Sequence, residues 1–308
     1  MLAHLVPGPL VRVFASRYMA GGSIDDGVAK ARALLDDHLV LSTMDLLGEA
    51  ITDPRDVEHN VRTYVELIDR LAADRRFRRS GYRPRGPAFP SVSVKPTAFT
   101  VGAMEEATGP ITQIVEHAAS RGIAVTIDME DHRYTDYTID LAVSFFERGF
   151  DVGTVLQSRL FRTKDDLARI PEGMRVRLVI GIYPEPGSIA LTDKREMKAL
   201  LIEFAQILLD RGVYVEFATH DERTLRRFLN EVAPSAPDRC EIQMLLGVPR
   251  EAFVREMRAG AFGAELPVRL YVPFAVSWDD ATAYLRRRME ESPNMIWLVL
   301  RNLLPSRR

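Results

Sequence analysis

Near the C-terminus, the run Tyr284-Leu285-Arg286-Arg287-Arg288-Met289-Glu290-Glu291-Ser292-Pro293-Asn294 gathers side chains suited to holding an anion. On a helix, Tyr284, Arg287, Arg288 and Glu291 fall at i, i+3, i+4 and i+7 and share one face. Leu285 and Met289 lie on a neighbouring stripe that can pack against a body. Pro293 favours a stop, because it disfavours helical geometry at the residue before it. Two adjacent guanidiniums can grip a carboxylate through paired hydrogen bonds, and a carboxylate one turn on can orient one of them. The same pattern also describes a solvated, salt-bridged surface helix. The rest of the chain has to decide.

The elements that would position such a helix are legible in the pattern. Ser23 is placed to cap a helix over Ile24 to Asp37, with Asp25 and Asp26 in its first turn. The short run Val40 to Leu46 follows, then a long helix from Pro54 to Asp74 whose core stripe is Val57, Val61, Tyr64, Val65, Ile68 and Leu71. Arg75 to Pro90 is basic and ends rich in proline and glycine, which reads as a loop. Strand-like runs then alternate with helical ones. The strands are expected at Ser91–Lys95, Ala124–Asp128, Thr154–Gln157, Val176–Gly181, Val213–Thr219, Glu241–Leu245 and Val268–Val272. The helices between them are expected near 111–120, 135–148, 164–169, 194–211, 222–232 and 249–258, and the C-terminal run supplies the last. Counted from Val40 these make eight strand-then-helix units. That predicts the α/β class and a (β/α)8 TIM-like barrel with an N-terminal helical lead. A doubly wound open sheet is the alternative, but no Gly-x-Gly-x-x-Gly follows any strand. A single domain over residues 1–308 is expected, with lead helices over 1–38 and the barrel over 39–308.

Composition narrows the partners. The chain has 308 residues, is 46% hydrophobic and 27% charged, and carries a net charge of -2, so it has no general attraction for nucleic acid. Cys240 is the sole cysteine, which excludes an internal disulfide and fits a reducing, cytoplasmic setting. No apolar run reaches the roughly 18 residues that span a bilayer. The segment from Met1 to Met19 contains Arg12 and Arg17 and no Ala-x-Ala, so it reads as an ordinary lead rather than a signal peptide. The six histidines are scattered without metal-ligand spacing, and no metal is expected.

The working face of a (β/α)8 barrel lies at the C-terminal ends of its strands. Those ends carry Asp45, Lys95, Asp128 with Glu130, Gln157 with Arg159, Tyr183 with Glu185, Thr219-His220-Asp221, Gln243 and Tyr271. Each alone is as well explained by a helix cap or loop contact, and for Asp45 that explanation is preferred. As a ring they suit something polar and anionic. Lys95 at a strand end could form a Schiff base, as in barrel aldolases, but nearby carboxylates such as Asp128 would hold it charged.

The tail Tyr284-Leu285-Arg286-Arg287-Arg288-Met289-Glu290-Glu291 resembles the Tyr-Leu-x-Arg-Arg-x-x-Glu signature of the proline dehydrogenase family. Supporting segments occur in the family's order: Asp45 to Glu49, Val92 to Lys95, Ile127 to Glu130, Val155 to Gln157, Arg177 to Val179, Phe217 to Asp221 and Glu241 to Leu245. The similarity covers nearly the whole chain, and its length resembles the single-function bacterial members, without the aldehyde dehydrogenase of the fused ones. The resemblance implies a distorted (β/α)8 barrel holding FAD. It implies oxidation of L-proline to 1-pyrroline-5-carboxylate, with hydride passing to flavin N5 and electrons to a quinone in the membrane. Peripheral contact with the inner face of the membrane would be consistent with that acceptor. By the resemblance, Arg287 and Arg288 match the arginines on the proline carboxylate, Glu291 their partner, and Lys95 the lysine beside the substrate. Asp128 matches an aspartate of the same charge network, and Tyr271, Tyr284 and Leu245 match the walls around the ring. Gln157, Arg177, Thr219, His220 and Gln243 fall where the family contacts the flavin.

Four positions, Ile180, Ile182, Pro184 and Ala275, depart from the pattern. The family usually continues Arg-Leu-Val with Lys-Gly-Ala-Tyr, whereas this chain has Ile180-Gly181-Ile182-Tyr183, which removes a cation near the flavin. Pro184 follows Tyr183, and Ala275 stands where glycine is common. Such changes keep three alternatives open. These are a flavin enzyme for a modified proline or other cyclic amino acid in a biosynthetic pathway, a Lys95-dependent lyase or aldolase, and a barrel that has lost its flavin.

Overall fold

The computed structural model describes residues 18–38, 40–48, 51–77 and 89–276. Eight strands form a closed parallel barrel in chain order: β1 (Leu41–Leu46), β2 (Ser91–Val94), β3 (Ala124–Ile127), β4 (Val152–Gln157), β5 (Arg175–Val179), β6 (Tyr214–Ala218), β7 (Cys240–Leu245) and β8 (Val268–Phe274). Closure is made by β1, whose Met44 lies opposite Val92 of β2 and Val272 of β8. The expected (β/α)8 barrel is therefore the observed fold.

Helix α1 (Ile24–His38) precedes the barrel, and the Ser23 hydroxyl accepts from the Asp26 N–H at 3.1 Å, as a cap should. Between strands run α2 (Pro54–Ala73), α3 (Thr108–Arg121), α4 (Thr135–Glu147), α5 (Thr163–Asp166), α6 (Lys194–Asp210), α7 (Glu222–Arg227) and α8 (Glu251–Arg258). Asp53, Asp193 and Asp221 cap α2, α6 and α7 through their carboxylates. Two helices differ from expectation. The run 164–169 is one α turn followed by a 3-10 turn, and beyond Arg227 the chain widens into a π turn over Phe228–Val232, where Phe228 stacks on Phe217 at 3.9 Å. Residues 1–17 of the expected lead and the whole of the Tyr284–Glu291 run lie outside the described residues. Among the described residues no helix is long and apolar enough to cross a membrane.

Strand side chains alternate between two environments, as the period of two dictates. Val92, Val94, Val125, Ile127, Val176, Leu178, Phe217 and Ile242 join Ile111, Ile139, Leu201 and Leu225 of the helices in the core. Burying each such side chain contributes about 1.5–3 kcal/mol. The other set faces the lumen and is polar: Thr43, Ser91, Ser93, Thr126, Arg175, Arg177, Glu216, Glu241, Gln243 and Arg269 are all buried. Charges at that depth persist only if paired and fully hydrogen-bonded. At the base, Arg175 donates to Asp151 and Glu216, each at 2.9 Å, and to the Val125 carbonyl at 3.0 Å. Arg269 donates to Glu241 at 2.5 Å and to the Ser42 carbonyl at 3.1 Å.

Candidate active site

The polar lumen continues upward to the C-terminal mouth, where one hydrogen-bonded chain links six strands. Lys95, the residue after β2, donates from Nζ to Asp45 of β1 and to the Tyr271 hydroxyl of β8 at 3.1 Å. Tyr271 donates to Asp128 Oδ2 at 2.6 Å, and Asp128 Oδ1 accepts from Arg177 Nη1 of β5 at 2.5 Å. Arg177 Nε donates to Gln243 Oε1 of β7 at 2.7 Å, and Gln243 Nε2 donates to Glu241 at 2.8 Å. Cations flank the Tyr271 ring, Arg177 at 4.9 Å and Lys95 at 5.6 Å from its centroid.

The charges set protonation states. Burial, then the Asp128 and Asp45 carboxylates, push the Tyr271 phenol well above its usual value, so it stays neutral and donates. Burial opposes the Arg177 charge, but Asp128 and Glu216 more than offset it, and the guanidinium remains a cation. Lys95 Nζ also lies 3.9 Å from Asp128, and two carboxylates favour an ammonium over the amine a Schiff base would need. Burial, helped by Arg250, lowers His220 to about 4. Its neutral ring accepts the Leu245 N–H at Nε2, 2.8 Å away.

Three buried polar atoms at this end have no partner among the described residues: Gln157 Oε1, Arg159 Nε and Arg177 Nη2. Gln157 Nε2 donates to the Glu130 carbonyl at 2.9 Å, which fixes the amide with its oxygen as the unsatisfied end. Gly181 sits against Gln157 Oε1 and Arg159 with φ +104°, a conformation that favours glycine, and a Cβ there would collide with both. Unsatisfied buried donors and acceptors are costly. Two donors and one acceptor are types that fit the polar edge of a flavin heterocycle.

The residues expected to form the site thus fall into three groups. Lys95, Asp128, Arg177, Gln243 and Tyr271 are joined in one network, with Gln157 on the adjacent strand end. Thr219, His220 and Leu245 lie at the same end outside that network: Thr219 accepts from the Asp221 N–H at 3.2 Å, His220 accepts from the Leu245 N–H, and the Leu245 side chain is half exposed. Tyr284, Arg287, Arg288 and Glu291 lie outside the described residues. The preferred reading of Asp45 as a cap or loop contact is wrong, since it is buried against Lys95. Glu216, Glu241 and Arg269 went unrecognised, although the spacings Arg175-x-Arg177 and Glu241-x-Gln243 put polar residues on one strand face.

The chain is similar to known proteins along most of its length. The family model described as proline dehydrogenase matches residues 28–185 and 188–295. A proline dehydrogenase of Deinococcus radiodurans is 30% identical over 302 residues, covering 94% of this chain and 90% of that one. Proline dehydrogenase 1 of Bacillus subtilis strain 168 is 27% identical over 297 residues, covering 95% and 91%. Among solved structures, proline utilization A of Bdellovibrio bacteriovorus, inactivated by N-propargylglycine, superposes with a TM-score of 0.75 at 23% identity. The match covers 90% of this chain but only 32% of that longer one, and it speaks for the fold.

Proposed function

The chain belongs to the proline dehydrogenase family, and we propose that it oxidises L-proline to 1-pyrroline-5-carboxylate with FAD as resident cofactor and a quinone as electron acceptor. The observation that carries this reading is the set of partnerless polar atoms on Gln157 and Arg177 at the mouth of a barrel of this family. Gln157, Arg177 and Gln243 would hold the flavin, with Thr219 and His220 beside them. When bound, the flavin supplies the acceptor for the hydride that leaves the proline ring carbon next to nitrogen.

The protein's own work is aiming and exclusion. Arg287 and Arg288, with Glu291 as their partner, take the proline carboxylate by charge-assisted hydrogen bonds. Tyr271, Tyr284 and Leu245 wall the ring and keep water out. Asp45 and Asp128 balance Lys95 and Arg177, so two cations stand at the mouth without repelling each other. Tyr271 keeps its proton and bridges the two halves of this balance.

The absorbance spectrum of the purified protein tests the proposal. Visible flavin bands that bleach when L-proline is added without oxygen are expected. Bands that stay oxidised with L-proline would transfer the reading to another cyclic amine. A colourless protein that cannot be reconstituted with FAD would overturn it.

A further inference from the structure

We propose that Arg159 is a flavin-binding residue of this chain, presenting from the β4 end the cation that Ile180 no longer presents from the β5 end. The assignment rests on the flavin reading above. The two positions are backbone neighbours: Ser158 N–H donates to the Val179 carbonyl at 2.8 Å and Arg159 N–H to the Ile180 carbonyl at 3.1 Å. The side chain of Arg159 lies over Gly181, where a Cβ would come within 2.7 Å of its Cδ. One arm of the guanidinium is tied down, since Nη1 donates to the Tyr183 carbonyl. Nε is buried and has no acceptor, and no carboxylate pairs with Arg159 among the described residues. A guanidinium anchored at one nitrogen and bare at another is aimed at something.

Gln157 indicates what. Its side chain is buried, its amide is fixed by the Glu130 carbonyl, and its partnerless Oε1 crowds the same Gly181. A phosphate offers only acceptors and would leave Oε1 unsatisfied. An imide edge, a carbonyl beside an N–H, satisfies the donor and the acceptor together. The flavin pyrimidine ring has that edge. A guanidinium there also favours the reduced, more electron-rich flavin, so it acts on binding and on potential together.

The test uses purified holoenzyme of the wild type, Arg159→Leu, Ile180→Lys and the double variant. FAD retained per chain on dilution, and the flavin midpoint potential, are the readouts. Arg159→Leu is expected to release FAD about tenfold faster, the loss of one charge-assisted hydrogen bond, and to shift the potential negative. Ile180→Lys is expected to restore both when combined with Arg159→Leu while changing little when Arg159 is present. Arg159→Gln, which keeps a stem over Gly181 but no charge, should retain folding and still shift the potential. Unchanged FAD retention and potential in Arg159→Leu, or equal gains from Ile180→Lys in both backgrounds, would overturn the assignment. A wild type that binds no FAD would overturn the flavin reading beneath it instead.

Discussion

Arg175 and Arg177 stand two residues apart on β5 and point into the same lumen, yet their nitrogens are used differently. Every nitrogen of Arg175 has a partner: Asp151, Glu216, Thr126 and two backbone carbonyls. Arg177 commits Nε to Gln243 and Nη1 to Asp128 and leaves Nη2 without one. One step toward the base, the ionic layer is complete. One step toward the mouth, it stays incomplete, and the partnerless atoms of Gln157 and Arg159 lie at the same end. For these two arginines, residue type therefore does not separate base from mouth; completeness of hydrogen bonding does.

Substituting each arginine is the strongest way to break that distinction. Arg175→Met leaves Asp151 and Glu216 buried without their cation and should cost about 3–5 kcal/mol of stability, read by denaturant unfolding, while the folded fraction keeps its flavin. Arg177→Met should lose flavin and activity at a smaller stability cost, because Tyr271 and Lys95 still surround Asp128. Equal flavin loss in the two variants at matched stability would erase the difference between base and mouth. Under the proposed function, Arg288→Met should raise the KM for proline about a hundredfold, since one carboxylate oxygen loses its charged partner. Saturation by proline at wild-type concentrations would remove Arg288 from the proposed site.

How far the sequence carried differs between the same two regions. The alternation of strands and helices is local and was legible, as were Ser23 as a cap and Lys95, Asp128 and Tyr271 at strand ends. What was not legible is who meets whom across the lumen. Arg177 reaches Gln243 and Asp128, separated from it by 66 and 49 residues, and Asp45 meets Lys95 50 residues on. No local spacing encodes those meetings, because they exist only once the barrel closes. Asp45 looked like an ordinary end-of-strand residue for that reason.

Two smaller tests sharpen the boundary between the regions. Gly181→Ala forces a positive φ on alanine and drives a methyl into Gln157 and Arg159. It should cost about 1–3 kcal/mol and weaken flavin retention, a mixed signature that only the mouth can give. His220 supplies a test that pH reads. Its folded value of about 4 lies below the ordinary 6.5, so the unfolded chain takes up a proton first as pH falls. Stability should be fully present above about pH 6.5, decline toward about pH 4, and level off below. A His220→Gln variant should flatten the decline of melting temperature over that window, and an unchanged slope would show that His220 is not its source.

The seam where β1 meets β8 has a consequence for how the molecule assembles. Glu241 on β7 receives its countercharge from Arg269 on β8, which also reaches back to Ser42 on β1 and Ser91 on β2. A seven-stranded intermediate would hold Glu241 in the lumen with no cation, a penalty beyond the missing ladder bonds. Half-closed barrels are thus poor resting places on the folding route, and pairing of β8 with β1 becomes a cooperative step that joins the first strand of the barrel to the eighth.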